Sequence, residues 1–86
     1  RAEIRNRAYE PDIVAWQGKE QIAIEYETGK KPVHETGQML SKRKESFARV
    51  MAIVSDDAKE FEKELESLAG SKANIVTATK FFGQQL

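Results

Sequence analysis

The chain contains no cysteine, so disulfide cross-links, thiolate zinc sites and cysteine nucleophiles are excluded. No stretch approaches the roughly 20 consecutive apolar residues that a membrane-spanning helix requires. No apolar run follows the opening Arg1-Ala2-Glu3, so we expect no signal peptide. Because His34 is the single histidine, any bound metal must be held by oxygen atoms or by that side chain. These absences predict a cytoplasmic protein without a membrane partner.

The chain also lacks a net charge. Its 14 basic and 14 acidic residues cancel, so the bulk charge does not indicate a nucleic-acid partner. The distribution is uneven, because six acidic residues crowd between positions 56 and 66, whereas many basic residues lie in the first half of the chain. This asymmetry fits one basic face and one acidic face, and it also fits two solvated helix surfaces.

With 86 residues the chain is expected to form a single domain, residues 1–86, that buries only about 60% of its unfolded surface. The first half predicts a strand at residues 4–8, followed by a β-hairpin. The two hairpin strands cover residues 12–16 and 21–27, which are rich in β-branched and aromatic residues, and a polar loop containing Gly18 joins them.

The second half predicts helices alternating with strands. A helical pattern covers residues 33–47, and the apolar run at residues 50–54 fits a strand that is covered on both faces. An amphipathic helix over residues 58–69 follows. Its N-cap candidates are Ser55, Asp56 and Asp57, and Gly70 is expected to end it. Residues 75–78 predict a last strand, before a short turn from Thr79. We therefore predict an α/β fold, in which a mixed sheet of an antiparallel hairpin and a parallel strand-helix-strand unit is flanked by helices.

Three carboxylates are expected on one face of the hairpin. Side chains alternate along a strand, so Glu25 and Glu27 share a face with Ala23, while Ile22, Ile24 and Tyr26 form an opposite face that looks built for packing. If the loop has two or four residues centred on Gly18-Lys19, Asp12 lies directly opposite Glu25. Opposed like charges are destabilising, so a bound cation, a basic neighbour or a shifted pKa must compensate them. Carboxylates at this spacing suit Mg²⁺ or Mn²⁺, whereas a solvated edge strand neutralised by Lys30 or Arg5 is the alternative.

Pro11-Asp12 in one strand and Glu25-x-Glu27 in the next resemble the PD-(D/E)xK nuclease superfamily, which includes restriction endonucleases and archaeal Holliday-junction resolvases. The order of the later elements is similar to the restriction-endonuclease-like core. The resemblance implies a Mg²⁺- or Mn²⁺-dependent endonuclease acting on DNA, in which Asp12, Glu25 and the backbone carbonyl of Tyr26 bind the metal. It also implies a basic DNA-binding surface and contacts from the helix after the hairpin. The candidates are Arg5, Arg7, Lys30, Lys31, Gln38, Lys42 and Arg43.

The sequence departs from the family pattern at two points. Glu27 stands where most members have lysine, so it would act as a general base or a further ligand, with Lys30 as the alternative replacement. The first helix of the family core is not found before residue 4, so we expect the chain to be a fragment of a longer protein with other domains. Dimerisation is left open, because cutting both strands usually takes two sites.

Two other functions are compatible with the same residues. One is a nuclease-like module that no longer cuts and instead binds DNA or docks to proteins. The other is a small α/β interaction domain whose acidic face binds a basic partner. Metal binding distinguishes a nuclease from the interaction domain, and metal-dependent cleavage distinguishes it from the inactive module.

Overall fold

The computed structural model describes residues 2–4 and 10–83 and shows an α/β fold built on one five-stranded mixed sheet. The elements in chain order are β1 (Ala2–Ile4), β2 (Ile13–Gln17), β3 (Glu20–Glu27), α1 (Val33–Ser46), β4 (Arg49–Val54), α2 (Lys59–Ala69), β5 (Asn74–Thr77) and α3 (Ala78–Gly83). The strands lie side by side in the order β1-β2-β3-β4-β5. Strand β2 is antiparallel to both of its neighbours, β1 and β3, whereas β3, β4 and β5 are parallel to one another. The predicted α/β class and the mixed sheet are confirmed.

The hairpin has the short loop on which the carboxylate prediction depends. Gln17 pairs with Glu20, so Gly18 and Lys19 form a two-residue loop. Gly18 has a φ of 63°, and glycine at the first central position is typical of a type II′ turn. Trp16 pairs with Gln21 and Val14 with Ala23, which is the register that the predicted alignment of Asp12 with Glu25 requires. The hairpin register is therefore confirmed.

The main core lies between α1, α2 and one face of the sheet. Leu40 of α1 and Leu65 of α2 are fully buried, and they cluster with Ala23, Ala52 and Val54 of the central strands. In β4 the side chains of Val50, Ala52 and Val54 on one face are buried, and so is Ile53 on the other face, which agrees with the predicted strand covered on both faces. Among the described residues no helix has the length and apolar character needed to cross a membrane.

Some details differ from the sequence expectations. The first strand is Ala2–Ile4 rather than residues 4–8, and residues 5–9 lie outside the described part of the chain. The N-cap of α2 is Ala58, without a side-chain hydrogen bond, because Asp56 instead accepts hydrogen bonds from the backbone and hydroxyl of Thr79. Gly70 follows α2 in a right-handed helical conformation (φ −61°), so it is not the left-handed cap that a terminal glycine usually provides.

The face of β3 that carries the glutamates is more buried than its apolar face, contrary to the prediction from composition. Ile22 and Ile24 are half-buried and Tyr26 is 48% exposed, although this face was expected to be the packing face. Glu25 and Glu27 instead point to the side covered by α1 and α2, since they share a face with Ala23. The helices therefore cover the carboxylates as well as the apolar core.

Candidate functional site

Strand β3 places two glutamates in the interior of the protein. Glu25 and Glu27 are only 4% and 5% exposed. In the parallel register Glu25 lies beside Ala52 and Glu27 beside Val54, so the neighbouring strand offers them no polar side chain. Burial of a carboxylate is costly unless hydrogen bonds or an opposite charge compensate it. The groups that compensate these two carboxylates therefore define the chemistry of the site.

Asp12 lies at the end of the hairpin, next to Glu25. It precedes β2 by one residue, where the hairpin register places it opposite Glu25. The backbone N–H of Tyr26 donates to Asp12 Oδ2 at 2.9 Å. Asp12 is also close enough for its charge and its backbone N–H to act on the Glu25 carboxylate. The structure therefore brings Asp12 and Glu25 close together, as the predicted register requires.

Arg43 of α1 supplies a cation to this site. Its Nε donates to Glu25 Oε2 at 2.8 Å, and the two side chains are only 12% and 6% exposed. A charge-assisted hydrogen bond of this length is among the stronger polar contacts in proteins. The Glu25–Arg43 pair thus joins the helix to the strand that carries the carboxylates.

Burial raises the pKa of both glutamates, and a different cation counteracts this effect in each. Burial raises the pKa of Glu25, and the nearby charge of Asp12 raises it further, whereas Arg43 and the N–H of Asp12 lower it. Burial also raises the pKa of Glu27, and the charges of Glu25 and Asp12 add to this effect, whereas the Lys31 ammonium lowers it. The pKa of each glutamate is therefore raised overall, which makes protonation of both carboxylates easier than in water.

The donor set suits a hard divalent cation, because carboxylate and carbonyl oxygens are the ligands that Mg²⁺ and Mn²⁺ prefer. In the described part of the chain, however, no three His, Cys, Asp or Glu side chains are grouped closely enough to hold a metal ion. Two of the expected ligands have internal partners, since Asp12 binds the N–H of Tyr26 and Glu25 binds Arg43. The residues fit the cation in their chemistry, and side-chain movement would be needed to bring them around it.

The residues predicted to contact nucleic acid do not all lie near this site. Gln38 and Lys42 are exposed on α1. Lys42 precedes Arg43 by one position and therefore points about 100° away from it around the helix. Lys30 is exposed, and it is Lys31 rather than Lys30 whose charge acts on Glu27.

Arg5 and Arg7 fall outside the described residues. His34, the single histidine, is exposed in the first turn of α1, as a polar surface residue would be.

Sequence reasoning counted Arg43 among surface basic residues and missed its role at the site. A signal was present, because Arg43 follows Leu40 by three positions and so shares the buried stripe of α1. Thr36, on the same stripe, was also missed. It is 1% exposed, and its Oγ1 has no hydrogen-bond partner in the described structure.

Comparison with models of protein families, with curated proteins and with solved structures finds no significant match to this chain. The likeness to PD-(D/E)xK nucleases therefore rests on Pro11-Asp12, on Glu25-x-Glu27 and on the order of the elements around them.

Proposed function

We propose that this chain is a divalent-metal-dependent nuclease domain that hydrolyses phosphodiester bonds in DNA. The observation that carries the proposal is the burial of Glu25 and Glu27 beneath the helices, with Asp12 hydrogen-bonded across the end of the same hairpin. Apolar residues at these positions would often give an equal or greater stability. Clustered carboxylates with perturbed pKa values are typical of functional sites.

The proposed roles follow the chemistry of each group. Asp12 and Glu25, together with the backbone carbonyl of Tyr26, would hold Mg²⁺ or Mn²⁺. A cation held there would polarise a phosphoryl oxygen and lower the pKa of an attacking water. Glu27 would accept a proton from that water, because a carboxyl group with a raised pKa is a stronger base than an ordinary one. Lys31 replaces Lys30 as the basic neighbour of Glu27, since its charge is the one that acts on this carboxylate.

A groove lies next to the site, at the carboxyl ends of the parallel strands. It has a volume of about 660 Å³, and Thr28, Gly29 and Lys31, which follow Glu27 in the chain, line one side of it. Crevices at this end of a parallel sheet are common binding sites in α/β proteins. Lys31 belongs both to this groove and to the surroundings of Glu27, so it connects the open surface with the buried carboxylates.

Double-stranded DNA is the proposed substrate by analogy with the family. Arg5, Arg7, Lys30, Gln38 and Lys42 are the proposed contacts, and the four basic ones would neutralise phosphates. The restriction-endonuclease-like core is likewise part of the proposal, and it is supported by the order hairpin, helix, strand, helix, strand. Magnesium ions and DNA are thus the proposed cofactor and partner.

A second candidate function is supported by a separate observation. The Glu25–Arg43 pair and the lack of a three-ligand group among the described residues both suit a nuclease-like module that binds DNA or a protein without cutting. A nuclease and a DNA-binding module make the same prediction for DNA binding. They make different predictions for metal binding and for cleavage.

Calorimetric titration of Mn²⁺ into the wild type and Asp12→Asn tests the proposal, with Glu45→Gln as a matched control that removes an exposed carboxylate from α1. We expect binding to the wild type and to the control, and loss of binding in Asp12→Asn. Linear and branched duplexes should then be cut with Mg²⁺ and remain intact with EDTA. A folded wild type that binds DNA, takes up no Mn²⁺ and leaves every duplex intact would refute the nuclease and support the inactive module.

A further inference from the structure

We infer that Arg43 is an internal counter-cation for Glu25 that a divalent metal must displace, so that Arg43 sets the metal affinity of the site. The inference rests on the proposed function, because it assumes that Glu25 is a metal ligand. The inference goes beyond the proposed function because it concerns Arg43, which is not a proposed ligand, and the affinity of the site for the metal.

The position of the guanidinium group is the first argument. Arg43 Nε lies 2.8 Å from Glu25 Oε2, one of the two oxygens that this carboxylate could present to a metal. Metal–oxygen bonds to Mg²⁺ measure about 2.0–2.1 Å, so a cation and the guanidinium cannot both occupy the same lone-pair direction of this oxygen. Binding of a cation at Oε2 therefore requires the Arg43 hydrogen bond to break or to move to the other oxygen.

The burial of the pair is the second argument. The side chain of Arg43 is 12% exposed and that of Glu25 is 6% exposed, so water screens their attraction only weakly. A second pair in the same protein shows the contrast. Arg49 and Glu20 are 3.4 Å apart, and their side chains are 54% and 60% exposed. Displacement of Arg43 from Glu25 must consequently weaken metal binding, whereas an exposed cation on α1 would have little effect.

The surroundings of the other carboxylates give the third argument. Asp12 is held by a neutral backbone N–H, which carries no full charge to compete with a metal. Lys31 acts on Glu27 through its charge, and no hydrogen bond between the two is observed in the described structure. Arg43 is therefore the group whose removal should most increase the attraction of this site for a cation.

Calorimetric titration of Mn²⁺ into the wild type, Arg43→Met and Lys44→Met provides the first test. Both variants remove one positive charge from α1, from adjacent positions, and Lys44 is exposed. We expect Arg43→Met to bind Mn²⁺ at least about tenfold more tightly than the wild type, or about 1.4 kcal/mol, and Lys44→Met to stay within about twofold. Equal affinities in the wild type and a folded Arg43→Met would overturn the inference. Equal gains in both variants would also overturn it, because they would show a general effect of net charge.

The second test uses the wild type alone, so it does not depend on whether Arg43→Met folds. The arginine Nε–H signals are followed by NMR while Mg²⁺ is added, with Arg49 as the internal reference. We expect the Arg43 signal to shift as the metal binds and the Arg49 signal to stay in place. Metal binding by calorimetry with an unmoved Arg43 signal would refute displacement and leave the proposed function standing. No metal binding to the wild type or to folded Arg43→Met would refute the proposed function, and this inference with it.

Discussion

The Glu25–Arg43 pair allows a quantitative prediction for the stability of the protein. Substitution of Arg43 by methionine keeps an unbranched side chain at the helix–sheet contact and removes the guanidinium. It leaves the Glu25 carboxylate, which is 4% exposed in the wild type, without this cation and beside the negative charge of Asp12. Glu25 would then bind a proton more readily, which limits the loss in stability.

The magnitude follows from the contact that is removed. A hydrogen bond to a charged group contributes about 1.5–3 kcal/mol, so Arg43→Met should lower the free energy of unfolding by about 2.5 kcal/mol at pH 7. Glu25→Gln keeps an oxygen acceptor for Arg43, so we expect a smaller loss of about 1 kcal/mol. The double variant has no buried unpaired charge, so its free energy of unfolding should fall by about 1.5 kcal/mol, which is less than the fall for Arg43→Met alone.

Urea denaturation of the wild type, the two single variants and the double variant measures the coupling energy, which we expect to be about 2 kcal/mol. The exposed Glu20–Arg49 pair is the matched control. Its cycle should give a coupling energy of only about 0.2–1 kcal/mol. If the losses for Glu25 and Arg43 add to within about 0.5 kcal/mol, the pair does not stabilise the fold, and the reasoning from burial is refuted.

Three further variants test other features. The pKa of Glu27 is higher in the folded state than its ordinary value of 4.5, so between these two pKa values the folded state binds more protons and stability falls as pH rises. Glu27→Gln should therefore be more stable than the wild type at neutral pH and should lose this advantage below pH 4.5. Urea denaturation that shows no such dependence on pH would contradict the raised pKa of Glu27. Gly29 has a φ of 84°, and an added Cβ would lie 3.0 Å from Ala58 Cβ, whereas Gly18, with a φ of 63°, has open space around it. Gly29→Ala should thus lower the thermal midpoint more than Gly18→Ala does, and equal midpoints would show that the contact with Ala58 is relieved without cost. Thr36→Val removes a buried hydroxyl without a partner in the described structure, so we expect a gain of about 1 kcal/mol in urea denaturation, and a loss would indicate an undetected hydrogen bond.

Much of the topology could be predicted from local signals. The hairpin register follows from the two-residue loop at Gly18-Lys19, because a loop of this length fixes which residues face each other. The apolar run at β4 and the amphipathic pattern of α2 were equally local, and both elements lie within one or two residues of their predicted bounds. These signals placed Asp12, Glu25 and Glu27 together before any tertiary contact was known.

The remaining features depend on contacts between distant parts of the chain. Asp56 was a reasonable N-cap for α2, but it is used by Thr79, which lies 23 positions away. The sequence likewise showed two faces of β3 and could not determine which face α1 and α2 would cover. A glutamate-bearing face is a poor candidate for burial by composition alone, and it is buried here with Arg43, 18 positions from Glu25, as a partner.

The order of the strands in the sheet has a consequence for how the protein folds. Because the spatial order β1-β2-β3-β4-β5 follows the chain, each strand pairs with the one that precedes it. Neighbouring strands in the sheet are thus also consecutive strands in the chain, which keeps the sequence separation between paired strands short. Proteins with such local connectivity fold faster than those with interleaved strands. We therefore expect the sheet to assemble progressively as the ribosome releases the chain, with the carboxylate hairpin formed before the helix that brings its arginine.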